Sequence, residues 1–156
     1  MSNRITIELA TETDFPSIKP LLLELVDAIE NRERFSVEQS VENFRILVKD
    51  PAHYMLLARD GDNILGFVNF TTRRTIMHPR PSGLIDELVV SRRSRSSGIG
   101  KQLVTGAINK CRELGCCEVE VSTEKSNVKA RRFYKACGFE EDAVLLEIDL
   151  GEHSNE

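Results

Sequence analysis

Long apolar runs are missing from this chain of 156 residues. Without a stretch of about 15–20 apolar residues, no membrane-spanning helix and no membrane partner are expected. The start, Met1-Ser2-Asn3-Arg4, lacks the apolar core of a signal peptide, so a cytoplasmic location is expected. Cysteine is sparse: Cys111, Cys116, Cys117 and Cys137 are the whole set, and no C-x-x-C occurs. Reduced, buried thiols are therefore expected rather than disulfides or a zinc site. The three histidines, His53, His78 and His153, are scattered without ligand spacing, and no metal is expected. Positive charge is also short, with 21 Lys and Arg against 25 Asp and Glu. That balance and the aromatic-poor termini exclude nucleic acid as the expected partner and mildly favour a cationic substrate. What remains is one domain over residues 1–150 with a single core, followed by a polar tail over 151–156.

Along the chain, Ile5 to Leu9 alternates as a strand does. Thr11 to Asp14 offers caps for a helix carrying Ile18, Leu21, Leu22, Leu25, Val26 and Ile29. Pro16 suits its first turn, whereas Pro20 should kink it or move its start. Ser36 opens a second helix, with Gln39 available as capping-box partner, which ends before Pro51. Tyr54–Arg59 and Ile64–Phe70 read as a hairpin around Gly61-Asp62-Asn63. A basic loop spans Arg73 to Pro81, and Leu84 to Val90 reads as the central strand. Cys117 to Val121 is a further strand, Asn127 opens a short helix ending at Gly138, and Val144 to Leu150 is expected to close the sheet. This order gives an α/β (α+β), three-layer α/β/α sandwich with a mixed sheet.

The most informative stretch is Leu88-Val89-Val90 followed by Arg95-Ser96-Ser97-Gly98-Ile99-Gly100-Lys101. An apolar run ends, a short loop follows, and two glycines open an amphipathic helix through Leu103, Val104, Ala107, Ile108, Cys111 and Leu114. Gly115 stops it. The first turn of such a helix carries unpaired N–H groups, and glycine lets an anion approach them. A P-loop is excluded, because Arg95 stands at the first Gly position and Gln102 follows Lys101. The dinucleotide fingerprint is excluded by Leu103. A plain loop with glycines serving only backbone geometry is the alternative.

Asn127-Val128-Lys129-Ala130-Arg131-Arg132-Phe133-Tyr134-Lys135-Ala136-Cys137-Gly138-Phe139 resembles the second signature of the GNAT superfamily of N-acetyltransferases. Arg95-x-x-Gly98-x-Gly100 resembles that superfamily's pyrophosphate motif, and both stand in the family's order and separation. Ser96 and Ser97 depart from the commoner Gly or basic residues of the loop. The resemblance covers about Asn63 to Leu150 and implies the GNAT fold, with a splayed sheet and acetyl-CoA as co-substrate.

On this resemblance, backbone groups of Leu88, Val89 and Val90 would pair with the pantetheine amides, as an added strand would. The N–H groups of Arg95, Ser96, Ser97, Gly98, Ile99 and Gly100, with Lys101, would hold the pyrophosphate. Arg92 and Arg93 reach the 3′-phosphate or form a solvated turn. Asn127 caps its helix and, in the family, also contacts the cofactor arm. Tyr134 is the candidate for protonating the departing thiolate, against the alternative of a core tyrosine beside Phe133. For the base, strand alternation sends Asp86 and Glu87 to opposite faces. Asp86 then shares a face with Leu84, Leu88 and Val90, and Glu87 is the alternative if a bulge changes the facing.

The implied activity is acetyl transfer to a primary amine of a small molecule, by direct attack in a ternary complex. A non-catalytic acyl-CoA sensor and a protein or peptide N-acetyltransferase are the other readings, and a homodimer is admitted as the oligomeric state. Glu24, Asp27, Glu30 and Glu33 either draw a cationic acceptor or, the favoured reading, form the solvated face of the first helix; Arg73, Arg74 and Arg80 point toward a carboxylate-bearing amine or a peptide.

Overall fold

The computed structural model describes residues 4–28 and 35–151. They fall into two compact units, Met1–Val121 and Ser122–Glu156, each described by itself. In the first unit the order is β1 (Thr6–Leu9), α1 (Phe15–Ala28), α2 (Val37–Leu47), β2 (His53–Asp60), β3 (Asn63–Arg73), β4 (Ser82–Val90), α3 (Ile99–Glu113) and β5 (Glu118–Val121). The strands lie side by side in chain order. Strands β1 to β4 are antiparallel, while β5 runs parallel to β4. A parallel neighbour needs a crossover connection, and α3 supplies it. The mixed sheet agrees with the expectation. Its middle strand is β3, however, and β4 lies one place from the edge.

Period-two alternation assigns each strand residue to a face. Leu57 of β2, Phe67 of β3 and Val89 of β4 stand in one row across the sheet and pack with Ile18 and Leu21 of α1 and Phe44 of α2. The opposite face meets α3, which buries Leu103, Val104, Ala107 and Cys111. That helix lies close because glycines line the contact. A Cβ on Gly106 would come within 3.2 Å of Leu56, and one on Gly83 within 2.6 Å of Cys111 Sγ.

The local signals worked where chemistry near in sequence decides them. Asp14 accepts from the Thr11 N–H at 2.7 Å and completes a capping box ahead of α1. Ser36 caps α2 by accepting from the Gln39 N–H at 3.3 Å. The Gln39 side chain itself donates forward to Asn43, so the reciprocal half of the expected box is not made. Pro20 sits inside α1 without moving its start. The bond it forgoes would run only to the carbonyl of Pro16 in the first turn, so one contact is lost and the helix continues. Ile29, Glu30 and Glu33 lie outside the described residues. Of the cysteines only Cys111 is buried; Cys116, Cys117 and Cys137 are half-buried, and none of the four is in a disulfide.

In the second unit α4 spans Val128–Ala136. Asn127 Oδ1 accepts from the Ala130 N–H at 3.1 Å, the expected cap. Gly138 leaves the helix at φ +102°. The strand expected over Val144 to Leu150 is not formed. Alternation describes a surface that would fit a pleated sheet, whereas a strand exists only through pairing with a neighbour. The segment has no such ladder, and Val144, Leu146, Ile148 and Leu150 are exposed.

Candidate active site

The site of the first unit is built on β4. From Ser82 to Ile85 this strand pairs with β5 on one side and with β3 on the other. Beyond Ile85 the β3 ladder continues to Val90, while β5 has ended at Val121. Among the described strands, one edge of Asp86 to Val90 therefore has no partner, and its backbone donors and acceptors need one. Leu88, Val89 and Val90 lie on this open edge, as the splayed sheet required.

Where the two strands part, β4 carries a bulge. Asn69 stands opposite Glu87 and the next residue, Phe70, opposite Ile85, which leaves Asp86 as the extra residue. Gly83, two positions before Ile85, lies against α3, whereas Val89 packs in the α1–α2 cluster. The insertion has thus reversed the facing along the strand. Leu84 before the bulge and Glu87 after it share the α1–α2 face, and Asp86 joins them there, beside Thr71, whose hydroxyl it accepts from. This corrects the simple alternation: Asp86 and Glu87 lie on one face, and Asp86 no longer shares a face with Leu88 and Val90.

Asn69, a residue the sequence reading missed, holds the bulge. Its buried Oδ1 accepts from the Glu87 N–H at 2.8 Å, supplying the acceptor the broken ladder lacks. Its side chain also bonds the Glu87 carboxylate. The available signal was an amide inside the apolar run from Ile64 to Phe70. Both carboxylates reach solvent, yet the protein crowded around them raises their proton affinity. Desolvation pushes Asp86 up against the opposing pull of His53 and Thr71. Desolvation pushes Glu87 up as well, with Asn69 opposing and the neighbouring Asp86 charge reinforcing. A carboxylate raised in this way takes up a proton more readily than a solvated one.

Below β4 the chain makes one 3-10 turn, Arg92–Ser94, and enters α3. Gly98 is the N-cap, at φ +81°, a left-handed conformation that favours glycine. A Cβ placed there would meet nothing within 4 Å, so the space over the cap is open. Ser96 is also left-handed, at φ 65°. The first intrahelical bond runs from the Gln102 N–H to the Gly98 carbonyl at 3.1 Å, which leaves the N–H groups of Ile99, Gly100 and Lys101 without helical partners. A depression of about 480 Å³ runs from Gly98 and Lys101 along α3, past Gln102 and Gly106, to Asn109 and Ile7 of β1. The loop's side chains are turned to its own backbone: the Ser97 hydroxyl donates to the Ser94 carbonyl and Arg95 Nε to the Val90 carbonyl at 3.5 Å. Charge here thus comes mainly from backbone dipoles and Lys101.

Arg92 is engaged elsewhere. Its N–H donates to Glu24 Oε2 at 3.0 Å and its guanidinium lies 3.9 Å from Asp27. Through these contacts Glu24 and Asp27 of α1 touch the loop after β4.

Tyr134 and Asn127 belong to the second unit. The Tyr134 ring meets Phe133 edge-on at 5.1 Å and Phe139 at 5.7 Å. Burial, with a smaller contribution from Cys137, pushes its phenol up to about 12. The ring packs as the core alternative required, while the phenol stays protonated and able to donate.

The family model described as Acetyltransferase (GNAT) family matches residues 19–139. The aminoalkylphosphonate N-acetyltransferase of Salmonella typhimurium is 29% identical over 133 residues, 85% of this chain and 82% of that protein. A transcriptional regulator from Bacillus halodurans superposes with a TM-score of 0.83 at 27% identity, over 94% of this chain and all of the other. An aminoglycoside acetyltransferase from an uncultured soil metagenomic sample does so with a TM-score of 0.80 at 27% identity, over 96% and 99%. The open β4 edge running into a glycine-capped helix is thus found in a chain that belongs to the acetyltransferase (GNAT) family of N-acetyltransferases.

Proposed function

We propose that this protein transfers the acetyl group of acetyl-CoA to a primary amine of a small molecule, by direct attack within a ternary complex. The carrying observation is continuity. The unpaired edge of Asp86 to Val90 leads directly to the glycine-capped N-terminus of α3, one surface for an amide-bearing arm that ends in phosphates. Acetyl-CoA supplies the activated acyl group, and the residues of this chain do the rest. Leu88, Val89 and Val90 align the arm by backbone pairing. The first turn of α3, with Lys101, takes the pyrophosphate. Asp86 or Glu87 removes a proton from the acceptor ammonium, directly or through water, so that the nitrogen lone pair can form the new N–C bond as the C–S bond breaks. Tyr134, held protonated, donates toward the sulfur as it departs.

Two relatives support the acceptor class proposed here. By name, the Salmonella typhimurium protein acts on aminoalkylphosphonates and a Stenotrophomonas maltophilia relative on aminoglycosides. A panel of aminoalkylphosphonates, aminoglycosides, polyamines, amino acids and peptides, assayed for thiol release from acetyl-CoA, tests the reading. Turnover confined to small amines supports it. Turnover confined to peptides would replace it with peptide acetylation, and tight CoA binding with no turnover on any amine would replace it with a sensor.

A further inference from the structure

His53 opens β2 and is buried, with 8% of its surface exposed. Its Nδ1 lies 3.1 Å from the Leu47 carbonyl at the end of α2. A carbonyl oxygen only accepts, so Nδ1 carries the proton and the neutral ring presents a bare lone pair at Nε2. That Nε2 is fully buried and, among the described residues, has no hydrogen-bond partner. Buried polar atoms are nearly always satisfied, and one left open in a native core calls for an explanation.

The sheet register supplies one. His53 stands opposite Thr71 on β3, and Thr71 opposite Leu84 on β4. The row ends at the bulge, where Asp86 accepts from Thr71. His53, Met55 and Leu57 share the α1–α2 face with Asn69 and Glu87, so imidazole and carboxylates look onto the same side of the sheet. The charged groups acting on His53 are Asp86 from β4 and Asp50 from the turn after α2. Asp86 in turn has Glu87 beside it. Desolvation lowers the proton affinity of His53, while the Leu47 carbonyl and the two aspartates partly restore it.

We propose that His53 and Asp86 titrate as one pair, which makes His53 the positioning residue that sets the pH at which the Asp86 carboxylate can take the acceptor's proton. An N–H bond of the ammonium breaks and an O–H bond forms at Asp86, whose negative charge is neutralised as the proton arrives. When the ring is cationic it holds Asp86 ionised. When it is neutral, Asp86 keeps a proton more readily. The effect on rate rests on the reading of Asp86 as base; the coupling itself does not.

Two measurements separate these levels. Imidazole nitrogen resonances, followed against pH, give the tautomer and titration midpoint of His53, with His78 as internal reference. In the wild-type protein His53 should be the Nδ1–H tautomer with a midpoint below the usual histidine value of about 6.5. Asp86→Asn should lower that midpoint by roughly one pH unit, the scale of one nearby opposite charge. Linkage is reciprocal. His53→Gln should therefore raise the acid limb of the acetyl-transfer profile by the same amount, without a matching change in KM for acetyl-CoA. A His53 midpoint unmoved in Asp86→Asn overturns the proposal whatever the activity. A moved midpoint with an unmoved acid limb in His53→Gln overturns the positioning role. If Asp86→Asn leaves the rate profile intact, the base assignment itself falls, and the part of His53 in the rate falls with it.

Discussion

Substitution at Gly98 can separate backbone geometry from charge at the cradle. Gly98 holds φ +81°, and no atom lies within 4 Å of the point where a Cβ would stand, so a side chain there meets strain but no clash. Asn and Asp are nearly the same size, and both tolerate the left-handed region better than other residues. Gly98→Asn and Gly98→Asp should therefore each lose about 1 kcal/mol of stability, and their melting temperatures should agree closely. They differ in one negative charge, set over the N–H groups of Ile99, Gly100 and Lys101. A carboxylate about 5 Å from a pyrophosphate costs roughly 1–3 kcal/mol per charge for an effective dielectric between 80 and 20. Against two phosphate charges, with solvent screening the open side, about 2–4 kcal/mol remains. That corresponds to CoA binding roughly 30- to 1,000-fold weaker in Gly98→Asp than in Gly98→Asn. Calorimetry at low salt and at 1 M salt checks both the size and the origin, since the Debye length falls from about 10 Å at 0.1 M to about 3 Å at 1 M. The ratio should shrink severalfold with salt. A ratio below about 3, or one that salt leaves unchanged, would place the phosphates away from the start of α3.

Three further outcomes follow from the same geometry. Asp86 has a raised folded-state proton affinity, so the folded form holds its proton longer and stability declines as pH rises from the unfolded carboxyl range through the folded one. Asp86→Asn should consequently gain, after discounting for its exposed tip, about 0.5 kcal/mol at pH 7, a melting point about 1–2 °C higher, and nothing at pH 3. The same variant should lose activity most on the acid side, and a lower melting point at pH 7 would contradict the desolvation argument. Tyr134→Phe should reduce kcat about 10- to 1,000-fold with little change in KM for acetyl-CoA; with the phenol at about 12, no alkaline limb from this group should appear below pH ~11. Gly83→Ala would set a Cβ 2.6 Å from Cys111 Sγ and should cost about 1–3 kcal/mol, or roughly 2–10 °C; adding Cys111→Ala should recover most of it, and no recovery would move the strain elsewhere.

What could be read from the sequence was chemistry that neighbours in the chain decide. Ser36, Asn127, Gly98 and Gly115 mark helix ends because a cap bonds groups three or four residues away, and those residues are visible in any short window. The glycine-capped start of α3 was legible for the same reason, and the paired signatures pointed to the family. Position across strands is another matter. Alternation predicts facing only while the ladder is regular, and nothing local to Ile85-Asp86-Glu87 states that one residue is extra. The cause sits on β3, where Asn69 accepts from the Glu87 N–H. Likewise His53 gave no sign of its relation to Asp86, since the two are far apart in the chain and come to one sheet face only through the registers of two strand pairs.

The C-terminal segment fails for the complementary reason. Val144, Leu146, Ile148 and Leu150 satisfy the pattern of a strand, but pattern describes what a segment could pair with and not whether it does. At the bulge an unpatterned residue acquires a role because its partner is there. In residues 144–150 a patterned run remains without one. The site obeys the first case throughout: its carboxylates share a face because of a distant amide, and its open edge exists because β5 stops at Val121 while β4 continues to Val90. Which residue types can do acetyl-transfer chemistry is thus set locally, while which of them face the acceptor is set by strand registers. The family signature speaks to the first; only the registers decide the second, and that is why the sequence alone left Asp86 and Glu87 undecided between the two faces.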